Sequence, residues 1–108
     1  MKYNVYSIPK FEKQAKKLIK KYPSLKKELF DLIESLKTSP QKGTPLANDC
    51  YKIRIAIASK GKGKSGGGRV ITHFMVKDKS VYLLFLYDKS EVDSVSDKEL
   101  EEILEEIQ

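Results

Sequence analysis

Cysteine and histidine are almost absent from this 108-residue chain, Cys50 and His73 occurring once each. A single thiol cannot close an internal disulfide, and one residue of each type cannot assemble a Cys/His zinc site. That usage fits a reducing, cytoplasmic setting. Long apolar runs are missing too. None approaches the roughly 20 residues that span a bilayer, and residues 1–5 lack a signal-peptide hydrophobic stretch, so no membrane association is expected. Acidic residues are scarce in most of the chain. Residues 1–69 hold seventeen basic and five acidic side chains, a charge of +12, residues 70–87 carry +1, and residues 88–108 carry −7. Such a body offers no carboxylate cluster for a two-metal nuclease. It suits a polyanionic partner, with solvated lysines as the plain alternative. With 40% apolar residues, the length fits one domain over 1–108 that holds itself together by an ordinary core.

Alternation over residues 3–8 predicts a short strand ended by Pro9. Proline suits the first turn of a helix, and Phe11, Ala15, Leu18, Ile19 and Tyr22 then recur at the spacing of one helical face. After Pro23 the spacing repeats in Leu25, Leu29, Leu32, Ile33 and Leu36, predicting a second helix to about Thr38. The two form an antiparallel hairpin, whose polar face carries lysines that either meet water or contact nucleic acid. Residues 41–49 read as a loop. The period then becomes two over residues 51–57, and strands are predicted at 68–76 and 81–87, with a loop at 59–67 and a turn at 77–79. Val81 to Leu86 is apolar on both parities, as in a strand covered on both sides. Ser96-Asp97-Lys98-Glu99 is a capping box that opens a last helix. The order β-α-α-β-β-β-α predicts an α+β fold, an antiparallel sheet backed by the helical hairpin plus a C-terminal helix.

Gly61-Lys62-Gly63-Lys64-Ser65-Gly66 has the glycine spacing of a dinucleotide-binding loop, but it leads into a strand, whereas phosphate binding needs a following helix. The same glycines could instead let Lys60, Lys62 and Lys64 approach a nucleic-acid backbone, or form only a mobile hairpin loop. Strand parity brings a stronger set together. Lys52 and Arg54 leave their strand opposite Ile53, Ile55 and Ile57, while Arg69, Ile71 and His73 share a parity on the next. If Val70, Phe74 and Val76 face the core, Arg69 and His73 join Lys52 and Arg54, with Tyr87 and Lys89 at the border of the same face. A cationic face suits RNA cleavage, because the ribose 2′-hydroxyl is an internal nucleophile. The protein must position the chain, move protons and stabilise the charged phosphorane. Crowded cations disfavour one another's charged form, which suits a lysine to base work, and arginine can fork onto two phosphate oxygens. A Cys50/His73 nucleophilic dyad and a packing role for His73 are the competing readings of those two residues.

Cys50-Tyr51-Lys52-Ile53-Arg54-Ile55, and after a loop Gly68-Arg69-Val70-Ile71, resemble the central strands of the RelE/ParE superfamily of bacterial toxins from toxin–antitoxin modules. The loop, Tyr82-Leu83-Leu84 and Tyr87-Asp88-Lys89-Ser90-Glu91 are closest to its HigB-like and RelE-like branch. The resemblance implies an mRNA interferase. Such a protein is an endoribonuclease that acts on the translating ribosome, inhibits translation, needs no metal or small-molecule cofactor, and is silenced by a cognate antitoxin. It implies catalytic roles for Lys52, Arg54, Arg69 and Lys89, the lysine standing where RelE has an arginine. The base-stacking tyrosine that RelE carries further on has no counterpart after Tyr87, which leaves Tyr87 and His73 as candidates for stacking. RNA-binding roles fall to Lys60, Lys62, Lys64 and His73. The final acidic helix is expected to pack through Leu100, Ile103, Leu104 and Ile107. Two other readings share the features: a ParE-like gyrase inhibitor and a nonenzymatic RNA-binding regulatory module.

Overall fold

The computed structural model describes residues 2–61, 66–92 and 94–107. Strand β1 (Asn4–Ser7) leads through Ile8 into helix α1 (Pro9–Lys21), with proline in the first turn where its missing N–H costs nothing. The helix closes at Tyr22, whose amide still reaches the Leu18 carbonyl at 2.7 Å, and Pro23 prevents continuation. Helix α2 (Leu25–Leu36) buries Leu25, Leu29, Leu32 and Leu36, the stripe expected from their spacing. Strands β2 (Thr44–Pro45), β3 (Cys50–Ile55), β4 (Gly68–Met75) and β5 (Ser80–Asp88) follow, and helix α3 (Asp97–Ile107) ends the chain. Its capping box forms as read: the Glu99 amide donates to Ser96 Oγ at 3.1 Å, and the Ser96 amide to Glu99 Oε1 at 3.3 Å.

The five strands form one sheet in the order β1-β5-β4-β3-β2. Strands β3, β4 and β5 make the expected antiparallel meander. The sheet as a whole is mixed, because β1 lies parallel to β5 with Val5 opposite Val81. Short two-residue β2 pairs antiparallel to β3 inside the stretch expected to be loop. Neither pairing follows from periodicity, which identifies a strand but not its neighbour. Two strand ends also differ from expectation. Ile57 lies beyond β3, though it is fully buried, and Val76 lies in a 3-10 turn, 66% exposed, instead of facing the core at the end of β4.

Opposed residues in antiparallel strands share a face, so the register divides the sheet into two sides. One side carries Ile53, Val70, Leu86, Phe74 and Val81, and the helical hairpin packs on it. The other carries Arg54, Arg69 and Tyr87 in one row and Ile71 with Phe85 in the next. Between Ile71 and Thr72 the pairing with β5 slips, leaving Leu84 as an extra residue. Tyr82 therefore comes to the same side as Phe85 and Tyr87 although the sequence gives 82 and 85 opposite parity. Ile71 and Phe85 are buried, and α3 is the one described α-helix outside the hairpin. Its Leu100, Ile103 and Leu104 belong to the same apolar cluster, with Ile107 packed against it.

Ile103→Ala should therefore lower stability by about 2–5 kcal/mol, read as a fall in the urea midpoint with an unchanged slope. An unchanged midpoint would mean that α3 lies outside the cooperative unit.

Candidate active site

The row Arg54–Arg69–Tyr87 crosses three adjacent strands, each residue directly opposite the next. At such positions Cβ atoms stand about 4.5–5.5 Å apart, so two guanidinium groups root side by side. Like charges in this arrangement destabilise a sheet. Arg54 is exposed, whereas Arg69 is only 4% exposed, its Nη1 donating to the Gly68 carbonyl at 3.0 Å. Lys52, half-buried, lies one pair further along the same face opposite Ile71. Lys89 follows Tyr87 by two residues, and its amide donates to the Gly67 carbonyl at 3.0 Å, continuing the ladder past β5. The structure thus sets Lys52, Arg54, Arg69 and Tyr87 on one face, and the Lys89 backbone continues the same ladder beyond the end of β5.

Tyr87 is buried, and its hydroxyl meets no hydrogen-bonding partner among the described residues. An unmet buried hydroxyl is costly and rare. Burial pushes its ionisation up, while the Arg69 charge pulls the other way, so at neutral pH it remains a phenol able to donate. Beside it a cleft of about 270 Å³ runs between α1 and the end of β5, with Lys17 and Lys21 on one wall and Tyr87 and Glu91 on the other. A larger cavity of about 490 Å³ lies between β1 and the hairpin, lined by Phe11, Ala15, Ile19 and Ile33, away from the cationic row.

The four expected RNA contacts need comment. His73 does share the face of Lys52 and Arg54, but it is 7% exposed and faces Cys50, with Nδ1 3.8 Å from Sγ. In this structure it packs against Cys50. Burial, with Asp49 adding to it, pushes the Cys50 thiol up to about 11, which leaves little reactive thiolate near neutral pH. Lys60 is not a free loop cation. It sits at the end of a 3-10 turn with its side chain 9% exposed, and its ammonium donates to the Asp88 carboxylate and, at 3.1 Å, to Ser90 Oγ. Lys62 and Lys64 lie outside the described residues.

Asp88 was not anticipated. Its side chain is fully buried, and it accepts hydrogen bonds from Lys60, from the Ser90 amide at 3.0 Å and hydroxyl at 2.8 Å, and from the Tyr22 hydroxyl at 3.1 Å. Burial alone would push this carboxyl up, but those donors overcome it and hold it well below the usual carboxylate range. The only signal in the sequence is an acid at the end of an otherwise apolar strand.

The RelE toxin of the RelE/RelB toxin–antitoxin system describes the family that matches residues 4–107. The chain belongs to the RelE toxin family. Solved structures agree in fold. A doubly substituted E. coli RelE toxin in the free state superposes with a TM-score of 0.65 at 16% identity, covering 100% of both chains. A metal-bound toxin from Helicobacter pylori gives 0.54 at 22% identity, over 83% of this chain and 98% of that one. The toxin–antitoxin complex of E. coli RelBE gives 0.50 at 23%, over 80% and 95%. Among the described residues of this RelE-family chain, no helix is long and apolar enough to cross a membrane.

Two measurements check the buried groups. With its thiol at about 11, native Cys50 should react with iodoacetamide at pH 8 at least about 100-fold more slowly than in the urea-unfolded chain; equal rates would contradict its burial. Asp88→Asn should cost about 3–5 kcal/mol at pH 7 by leaving Lys60 buried without its counter-charge. A depressed carboxyl stabilises fully above the unfolded aspartate value near 3.9 and loses that contribution as pH falls below it. The gap between wild type and variant should thus narrow from about pH 4 downward. A gap of constant size would place the stabilisation elsewhere.

Proposed function

We propose that this protein is a ribosome-dependent mRNA endonuclease, the toxin of a toxin–antitoxin module, acting by attack of a ribose 2′-hydroxyl on the adjacent phosphate. The observation that carries the reading is the pair of directly opposed arginines, Arg54 and Arg69, flanked by Tyr87 with its unmet hydroxyl. Two neighbouring guanidinium groups can grip one phosphate through charge-assisted, forked hydrogen bonds. The family membership supports the same reading.

The chemistry maps onto the row. The 2′-oxygen gives up its proton and bonds to phosphorus, the bond to the 5′-oxygen breaks, and that oxygen takes a proton, leaving a 2′,3′-cyclic phosphate. Lys52 assists proton removal, while Lys52 and Arg54 hold the phosphate. Arg69, fixed by burial, stabilises the phosphorane, where a preoriented cation is worth most. Tyr87 and Lys89 stand at the far end of the row, where either can hydrogen-bond the phosphate or the departing oxygen. DNA, lacking the 2′-hydroxyl, is not cut. The antitoxin of the RelBE complex is a model for the cognate partner of this chain, and the ribosome presents the mRNA.

Primer extension on mRNA from a purified translation reaction tests the proposal. Wild-type protein should produce new ends only while ribosomes translate, and Arg69→Ala should lower the cleavage rate by at least about 10²-fold, roughly 2.7 kcal/mol of barrier. Intact mRNA in the presence of folded wild-type protein would overturn the reading; inhibition of gyrase supercoiling in its place would favour the ParE-like alternative.

A further inference from the structure

Asp88 alternates with Tyr87 and Lys89 along the chain, so it leaves the strand on the side away from the cationic row. It is paired with Gly68 in the register, directly before Arg69. Its carboxylate ties three parts of the molecule to the end of β5: the turn that ends at Lys60, the Ser90 turn, and Tyr22 at the end of α1. The Lys60 turn is itself anchored on α2, since the Ala58 amide donates to Glu28 Oε2 at 2.8 Å and the Ser59 amide to Ser24 Oγ at 2.9 Å. A continuous chain of polar contacts therefore runs from α2 through the Lys60 turn and Asp88 to Ser90, two residues beyond Asp88. Beyond β5 the ladder continues in the bond from the Lys89 amide to the Gly67 carbonyl. Gly67 has no latitude, because a Cβ there would collide with the Ile55 carbonyl oxygen.

We propose that Asp88 is a positioning residue for the cationic row: through Lys60 and Ser90 it holds the end of β5, and with it Tyr87 and Lys89, in place beside Arg69. This rests on the endonuclease reading and deepens it. A buried ion pair is weak evidence for stability but a geometric constraint, since each charge demands its partner. Here the constraint falls on the one strand end that carries two of the five site residues. Asp88 touches no substrate; it acts through the backbone it holds.

The test combines amide exchange with single-turnover cleavage in the full-length protein, for wild type, Asp88→Asn, Lys60→Met, Lys60→Arg and the double variant Asp88→Asn/Lys60→Met. Exchange at the Lys89 amide should accelerate at least about 10-fold in Asp88→Asn and in Lys60→Met, while the amides of Ile71 and Leu84 still exchange far more slowly than in an unfolded chain, which also shows that the variants fold. The cleavage rate constant should fall about 10-fold in both, KM should change little, Lys60→Arg should recover most of the rate, and the double variant should be no worse than either single one. A loss confined to the Lys60 variants and expressed in KM would mean that Lys60 binds RNA directly, which overturns the proposal. Unchanged Lys89 exchange, or faster exchange with an unchanged cleavage rate, would overturn it as well. If wild type itself does not cut, the endonuclease reading fails, and with it the catalytic purpose of the clamp; its mechanical part is then judged by exchange alone.

Discussion

The register between β3, β4 and β5 is the constraint on which everything else at the site depends. Side chains alternate between the two faces of a strand, so a slip of one residue would drive Arg69 into the hairpin core and turn Val70 outward. The apolar parity Ile53, Val70 and Leu86 is held under α1 and α2, and burial of that set locks the opposite parity into its row. The cations are thus placed by residues that do no chemistry. The bulge at Leu84 has a related effect, keeping Tyr82, Phe85 and Tyr87 on one side of β5 across a change of parity.

Against that locked register the row itself is locally unfavourable. Arg54 opposes Arg69, and the Tyr87 hydroxyl is buried without a partner among the described residues. Both features break rules that the rest of the sheet obeys, and departures of this kind concentrate where a protein binds or reacts. On the reverse side the chain takes the opposite course: Asp88 is satisfied by four donors and offset by Lys60. One end of the sheet thus carries two opposed arginines beside a buried tyrosine hydroxyl that meets no partner among the described residues and, behind them, a polar cluster around Asp88. A rigid support behind a cationic surface is what pre-organised electrostatics would require of the proposed reaction, because groups that must not relax before the transition state have to be held from outside the reacting volume.

Much of this was legible in the amino-acid order. Pro9, Pro23 and the leucine stripe of residues 25–36 determine the helical hairpin; the isoleucines at 53 and 55 determine which way Lys52 and Arg54 point; the capping box at Ser96 and Glu99 determines where α3 starts. These are local or periodic signals, and a chain of L-residues has few ways to satisfy them. Cation identity and strand parity grouped Lys52, Arg54, Arg69 and His73 on one face, and the end of the last strand set Tyr87 and Lys89 at its border.

What only the tertiary structure decided concerns partners distant in sequence. The parallel placement of β1 beside β5, the burial of His73 against Cys50, and the capture of Lys60 by Asp88 join residues 23 to about 76 positions apart. A lysine in a glycine-rich stretch and a lysine in a buried ion pair look alike in sequence, since the difference lies in a carboxylate 28 residues away. Periodicity tells a residue which face it shares; whether that face meets water, another helix or an opposite charge depends on long-range packing, and there the local code carries no information.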